Sequence, residues 1–118
     1  MIGTDIVKVD KIKKIINHWG DKFINRIFTL EEKKYCENKS DKFQCYAGRF
    51  AVKESFYKAK NHPYGWKAIE IINQKKPILK ILNEKLKKDL KDFRIHFSLS
   101  HTDEVAIAVV LLEKQKIR

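Results

Sequence analysis

The sequence predicts an α+β fold in which an antiparallel sheet packs against a long central helix. A helical pattern extends from about residue 43 to residue 60, whereas several later segments alternate polar and apolar residues with the period of a strand. The connections between those later segments are short, which favours antiparallel pairing. At 118 residues the chain suits one domain better than two, so residues 1–118 are expected to form a single domain.

The N-terminal part of the chain is predicted to form one strand and two short helices. Residues 2–7 are rich in β-branched side chains, which favour strands. Asp10 is expected to cap a helix in which isoleucines face inward and lysines outward over residues 11–16. After Gly20, residues 23–28 continue in a helical pattern. A short, basic helix is therefore expected directly after the first strand.

Two further helices follow, and each has its own start signal. Thr29 and Glu32 have the spacing of a capping box, which opens the first of them. Asp41 precedes the long central helix. Pro63 and Gly65 end that helix in a loop, because proline disfavours helical backbone at the preceding residue and glycine permits a turn.

The second half of the chain has the character of strands. Two apolar, β-branched runs are separated by a polar stretch that is typical of a hairpin, and two more strand patterns follow a charged helix. The last strand pattern is apolar on both faces and is expected to be buried. The predicted elements are strands 68–72 and 77–82, a helix over 83–91, and strands 93–100 and 105–112.

Composition and cysteine usage favour a cytoplasmic protein. No apolar run approaches the roughly 20 residues that a membrane-spanning helix needs, and the N-terminus leads directly into patterned sequence rather than a signal peptide. Cys36 and Cys45 lack the paired spacing of a metal site. They are expected to be two structural thiols in a reducing compartment.

The chain is strongly basic, and this excess of charge indicates an acidic partner. Lysine and arginine number 26 against 15 acidic residues, so the net charge is +11. Nucleic acid, an acidic protein and a multiply phosphorylated small molecule all fit such a charge. No recognised nucleic-acid-binding motif accompanies it, so nucleic-acid binding would depend on charge alone.

Three clusters of polar residues are candidates for a functional site. Glu54 and Lys58 stand four positions apart and share one helix face. Asp5 lies near the end of the first predicted strand, and His101 lies in the connection before the last one. Each has an ordinary structural interpretation as well: exposed Glu/Lys pairs are common on helices, Asp is frequent in turns, and a single His is often structural.

Taken together, the three clusters resemble the holo-acyl-carrier-protein synthases, the small type of 4'-phosphopantetheinyl transferase. The order and spacing of the motifs match that family over essentially the whole chain. The motifs are Gly3-Thr4-Asp5-Ile6-Val7, Arg49-Phe50-Ala51-Val52-Lys53-Glu54-Ser55-Phe56-Tyr57-Lys58-Ala59 and Ser98-Leu99-Ser100-His101.

The resemblance implies a transferase that moves the phosphopantetheine arm of coenzyme A onto a serine of acyl carrier protein, in fatty acid biosynthesis. Asp5 and Glu54 are then expected to hold Mg²⁺, and Lys58 to neutralise the phosphate or protonate the leaving adenosine 3',5'-bisphosphate. Arg49 and His101 are expected to contact coenzyme A. The base that deprotonates the serine stays open between Glu54, a metal-bound water and His101.

The resemblance also assigns roles outside the three motifs. Gly65 corresponds to a glycine of a loop near the nucleotide, although Pro63 and Tyr64 depart from the usual pattern of that loop. Lys53 is expected to contact phosphate or solvent. Homotrimers with active sites between subunits are usual in the family, and the sheet face of residues 105–112 is a candidate contact. The residues expected to dock the acidic carrier protein are Lys8, Lys11, Lys14, Lys22 and Arg26.

Two other classes of function are compatible with the residues. One is a basic nucleic-acid-binding domain without catalysis, in which the three clusters would be structural. The other is a metal-dependent phosphohydrolase, which would use the same carboxylates and lysine but transfer to water.

Overall fold

The computed structural model describes residues 1–73 and 75–116. Helices and strands follow one another as the sequence predicts, and the α+β class is confirmed. The strands are β1 (Ile2–Lys8), β2 (Ile69–Ile72), β3 (Ile78–Ile81), β4 (Phe93–His101) and β5 (Val105–Lys114). The helices are α1 (Val9–Trp19), α2 (Asp21–Ile27), α3 (Leu30–Glu37), α4 (Lys42–Ala59) and α5 (Glu84–Asp89), with a short 3-10 helix at Trp66–Ala68.

The main sheet has three strands in the order β1-β5-β4, and all of its pairs are antiparallel. Its register places Asp5 opposite Ala108 and His101 opposite Ala106. β2 and β3 form a separate antiparallel pair, which confirms the predicted hairpin. Gln74, in the predicted turn of that hairpin, lies outside the described residues. None of the described helices is long and apolar enough to cross a membrane.

α4 crosses one face of the main sheet with small side chains at the contact. Ala47 and Ala51 of the helix and Ala106 and Ala108 of β5 are buried in the core. Gly3 of β1 allows the closest approach, because a Cβ atom at this position would lie 1.9 Å from the Ser55 carbonyl oxygen. The strand and the helix therefore meet at their backbones.

The helix starts follow the sequence signals, with one exception. Thr29 and Glu32 form the predicted capping box, with Thr29 N donating to Glu32 Oε1 at 2.8 Å. Asp41 caps α4 by accepting from Gln44 N at 3.1 Å. The prediction for Asp10 is wrong: α1 begins at Val9, directly after the extended Lys8, so Asp10 lies inside the first turn and pairs with Lys14 at 3.0 Å.

The prediction that β5 is buried on both faces is also wrong. α4 covers only one face of the sheet, and the opposite face of β5 leaves Ile107 49% and Leu111 40% exposed. Ile6 and Ile2 of β1 lie opposite these two residues and are each 64% exposed. The outer face of the sheet thus carries an exposed apolar surface, which we call the outer sheet face and define by Ile2, Ile6, Ile107 and Leu111.

The two cysteines are a third difference from the sequence-based prediction. Cys36 of α3 and Cys45 of α4 have Cα atoms 5.4 Å apart and are joined by a disulfide. The expectation of two thiols is wrong for this structure, because the antiparallel return of α4 beside α3 brings both sulfur atoms together.

Candidate active site

Asp5 and Lys58 lie in direct contact, although they are 53 positions apart in the chain. Lys58 Nζ donates to Asp5 Oδ1 at 2.9 Å and to the Thr4 carbonyl oxygen at 3.1 Å. The contact follows from the close packing at Gly3, which places the next residues of β1 beside the C-terminal half of α4. Lys58 is half-exposed, so the pair lies at the surface rather than in the core.

Glu54 lies one helical turn before Lys58 and within electrostatic reach of Asp5. Partial burial raises the pKa of Glu54, and the charge of Asp5 raises it further, while Lys58 and Lys11 act in the opposite direction. The hydrogen bond to Asp5 raises the pKa of Lys58. The structure therefore places the predicted lysine in contact with Asp5 and brings Glu54 within electrostatic reach of both residues.

The chemistry of this donor set fits Mg²⁺. Two carboxylates whose charges repel each other are stabilised by a divalent cation between them. Among the described residues no group of three or more His, Cys, Asp or Glu side chains is placed to hold a metal. A pair of carboxylates suffices for Mg²⁺, which commonly keeps water and substrate phosphates as its remaining ligands.

Glu54 also lines a cavity of about 440 Å³ with aromatic walls. Gly65 lies in its wall with a φ of 85°, a left-handed conformation that glycine adopts without strain. His62, which sequence reasoning did not single out, lies in the wall too, and burial lowers its pKa. No local motif marks this histidine, because only the fold brings it into the wall of the cavity that Glu54 lines. The lining residues are Glu54, Tyr57, His62, Pro63, Gly65 and Trp66.

Arg49 and His101 both line a second cavity, of about 510 Å³. Arg49 is 3% exposed, and its guanidinium lies 4.4 Å from the centre of the Tyr35 ring. It donates to Asn73 Oδ1 and, over 3.3 Å, to Cys45 Sγ. Its Nε is buried and has no hydrogen-bond partner in the described part of the chain.

The environment of Arg49 suits an anion. Burial lowers the pKa of Arg49, although Glu32, Tyr35 and Tyr46 act against this. A buried donor without a partner is costly, and a bound oxyanion would satisfy it. Lys39 and Lys76 line the same cavity and add positive charge.

The two cavities are separate within one chain. In residues 1–73 and 75–116 they share no lining residue. His101 therefore lines a different cavity from Glu54, and the structure does not bring it to the carboxylate pair. In the described part of the chain, Asp5, Glu54 and Lys58 therefore form one group of candidate residues. Arg49 and His101 form a second group in a different cavity.

The expectation that Lys53 contacts phosphate or solvent is wrong. Its side chain is buried and its Nζ lies 2.8 Å from Glu32 Oε1. It also donates to the carbonyl oxygens of Trp66 and Ile69 at 3.0 and 2.9 Å. Lys53 lies one position before Glu54 in α4, so its side chain leaves the helix on a different face from Glu54 and Lys58. Its contacts join α4 to α3 and to the start of β2.

The predicted docking residues lie on an exposed surface at the start of the chain. All of them are exposed, and Lys11 is near enough to Glu54 to affect its pKa. The basic surface of α1 therefore adjoins the carboxylate pair. We define this α1 surface by Lys8, which ends β1, by Lys11 and Lys14 of α1, and by Lys22 and Arg26 of α2.

Known protein families include one that matches nearly the whole chain. The family described as the 4'-phosphopantetheinyl transferase superfamily matches residues 1–110. The chain therefore belongs to this superfamily.

Individual relatives match over nearly the whole chain. A holo-[acyl-carrier-protein] synthase of Halothermothrix orenii is 40% identical over 96% of this chain and 96% of its own. One of Chlamydia muridarum is 40% identical over 95% of this chain and 93% of its own.

Solved structures agree with the sequence relatives. The holo-[acyl-carrier-protein] synthase of Helicobacter pylori, in complex with coenzyme A, has a TM-score of 0.80 at 30% identity and covers 96% of this chain and 100% of its own. That of Neisseria meningitidis has a TM-score of 0.85 at 29% identity and covers 96% of this chain and 97% of its own.

Proposed function

We propose that this chain transfers the 4'-phosphopantetheine group of coenzyme A to a serine of apo-acyl carrier protein, as a holo-[acyl-carrier-protein] synthase of fatty acid biosynthesis. The observation that carries the proposal is the contact of Lys58 with Asp5, within electrostatic reach of Glu54, where β1 packs against α4. Relatives of this name match the chain over its length. The cytoplasmic location stays a prediction.

Asp5 and Glu54 are the proposed ligands of Mg²⁺. Bound there, Mg²⁺ would neutralise the pyrophosphate of coenzyme A and orient it for attack. Asp5 keeps its second oxygen free of Lys58, whose contact is with Oδ1. Lys58, with a pKa raised by Asp5, stays protonated at neutral pH and can place its positive charge on the phosphate that is attacked.

The cavity of Arg49 and His101 is the proposed contact for a phosphate of coenzyme A. The unpartnered Nε of Arg49 and the lysines in the wall supply donors and charge for it. Coenzyme A is present in the related structure from Helicobacter pylori.

The outer sheet face supports the proposal of a homotrimer with active sites between subunits. Four large apolar side chains are exposed there in two cross-strand pairs, which is unusual for a face that stays in water. Assembly through this face would cover them. A contact between subunits would also let the Arg49 cavity of one chain meet the carboxylate pair of another. Light scattering is expected to give three times the mass of one chain.

The transfer is tested by mixing the protein with coenzyme A, Mg²⁺ and an apo-acyl carrier protein and weighing the carrier. We expect the carrier to gain the mass of phosphopantetheine, and chelation of the metal to prevent this gain. Consumption of coenzyme A without the carrier would instead indicate a phosphohydrolase. Absence of both reactions, with salt-sensitive binding to random DNA, would indicate a nucleic-acid-binding domain.

A further inference from the structure

The disulfide lies at the wall of the Arg49 cavity. Cys36 is fully buried, whereas Cys45 is partly exposed and lines the cavity. Cys45 and Arg49 are one turn apart on α4, and Arg49 Nη1 donates to Cys45 Sγ at 3.3 Å. One sulfur of the pair is therefore open to reagents in the cavity and touches the cation that we propose as a phosphate contact.

The charge on Cys45 depends on its oxidation state. In the disulfide its sulfur is neutral and is a weak acceptor for Arg49. When the bond is reduced, an adjacent guanidinium favours the thiolate over the thiol. The nearby carboxylate of Glu32 is already paired with Lys53, so a thiolate at Cys45 would be the anion in direct contact with Arg49.

We propose that Cys36 and Cys45 form a reversible thiol–disulfide site whose oxidation state sets the affinity of the Arg49 cavity for phosphate. In the disulfide the sulfur next to the guanidinium is a neutral, weak acceptor that a ligand can displace, whereas the Cys45 thiolate competes with the ligand for the guanidinium. The inference rests on the proposed function, because it takes the phosphate of coenzyme A as the ligand.

The site exchanges with small thiols, and the exchange balances. A thiolate of a dithiol reductant attacks the Cys45 sulfur at the cavity wall, the Cys36–Cys45 bond breaks, and Cys36 leaves as a thiolate that takes up a proton. The second thiol of the reductant then displaces Cys45, so the reductant ends as a cyclic disulfide and two electrons pass to the protein. Oxidation by a small disulfide reverses both steps.

The binding test uses adenosine 3',5'-bisphosphate, because coenzyme A is itself a thiol and would exchange with the site. We expect the dissociation constant, measured by calorimetry, to be about tenfold higher for the dithiothreitol-reduced protein than for the oxidised one, as expected for losing one charge-assisted contact. Counting alkylated cysteines by mass confirms each state. Two reactive thiols after treatment with a small disulfide would overturn the proposal.

Two serine variants separate the effect of the Cys45 thiolate charge from the effect of losing the disulfide. Both variants lack the disulfide, but only one of them keeps Cys45. Cys36→Ser keeps the Cys45 thiolate and is expected to bind as weakly as the reduced protein, with or without reductant. Cys45→Ser removes the thiolate and is expected to bind as tightly as the oxidised protein. Equal, weak binding by both variants would show that the cross-link itself matters and would overturn the inference.

The outcome also distinguishes this inference from the proposed function. A protein that modifies acyl carrier protein but binds the bisphosphate equally in both oxidation states refutes the redox site and keeps the transferase. A protein that neither binds the bisphosphate nor modifies the carrier refutes both.

Discussion

Lys58 holds Asp5 in an ion pair that joins α4 to β1 at the candidate metal site. The 2.9 Å contact uses one carboxylate oxygen, and the same ammonium donates to the carbonyl oxygen of Thr4. Lys58 thus contacts the strand residue that we propose as a ligand, while Glu54 lies one turn before it. The amine is thus held beside Asp5 and would be available to a phosphate if Asp5 and Glu54 held a metal.

Replacing Lys58 by alanine is expected to lower turnover by about 10²-fold, as is typical when one preorganised charge is removed from a reacting phosphate. The Michaelis constant for coenzyme A should change little, since the proposed nucleotide contact is at Arg49. Steady-state kinetics of the carrier reaction measure both constants, and the exposed Lys67→Ala serves as the control. Equal losses in turnover and in coenzyme A affinity would assign Lys58 to ground-state binding.

Glu54→Gln is expected to stabilise the metal-free protein at neutral pH while preventing transfer. The pKa of Glu54 lies above its ordinary value of 4.5 because of burial and the charge of Asp5. The folded state therefore binds a proton at Glu54 more tightly than the unfolded chain does. The ionised carboxylate lowers the free energy of unfolding at pH values above the raised pKa, and this loss is absent at pH values below 4.5, where Glu54 is protonated in both states. Thermal unfolding measured from neutral pH down to below pH 4.5 should show that the higher stability of Glu54→Gln over the unchanged protein disappears as the pH falls. An advantage that grows at acidic pH would contradict this.

Gly3→Ala is expected to destabilise the fold by at least about 2 kcal/mol. The new Cβ would overlap the Ser55 carbonyl oxygen and approach Ala59 N at 2.7 Å, and backbone atoms cannot rotate aside. Urea unfolding measures the change. Gly48→Ala is the matched control, because its Cβ would meet only the flexible side chain of Leu99, at 3.2 Å, and alanine favours a helix.

Lys53→Met is expected to destabilise the protein by about 3–5 kcal/mol, because it leaves the buried carboxylate of Glu32 without its partner. Lys67→Met makes the same chemical change at an exposed position and should have little effect. The double variant with Glu32→Gln should recover part of the loss, since it removes the unpaired charge. Urea denaturation of the three variants provides the comparison, and a neutral Lys53→Met would disprove the buried ion pair.

The double variant Lys11→Glu with Lys14→Glu is expected to raise the Michaelis constant for acyl carrier protein and to spare that for coenzyme A. The α1 surface is exposed and adjoins Glu54, so an acidic partner there would present its serine near the metal site. Lys87→Glu with Lys88→Glu on α5 makes the same change of charge elsewhere. If this control raised the constant equally, net charge rather than a docking surface would be responsible.

Much of the fold was predictable because its signals are local. The Thr29 and Glu32 capping box and the period of two in β4 are each set by neighbouring residues. What could not be predicted depends on contacts between distant segments. The burial of Lys53, the Cys36–Cys45 bond and the exposed face of β5 each follow from how α4 packs, which no local pattern records.

The residues of the candidate site were also predicted only in part. Asp5, Glu54 and Lys58 were found through a resemblance of motifs, and the structure places Lys58 in contact with Asp5 and within electrostatic reach of Glu54. His62 was not found, because a single histidine in a loop has no signature until the fold places it in the wall of the cavity that Glu54 also lines. The proposed roles of Arg49, Gly65 and His101 stay predictions.

Gly3 gives the site a particular kind of rigidity. Since main-chain atoms of a strand and a helix touch there, the separation between the main chains that carry Asp5 and Glu54 is governed by backbone packing. Conservative repacking of the hydrophobic interior would therefore leave that main-chain separation nearly constant. Any adjustment of the site to a larger cation would have to come from the rotamers of the two acidic side chains, not from movement of β1 against α4.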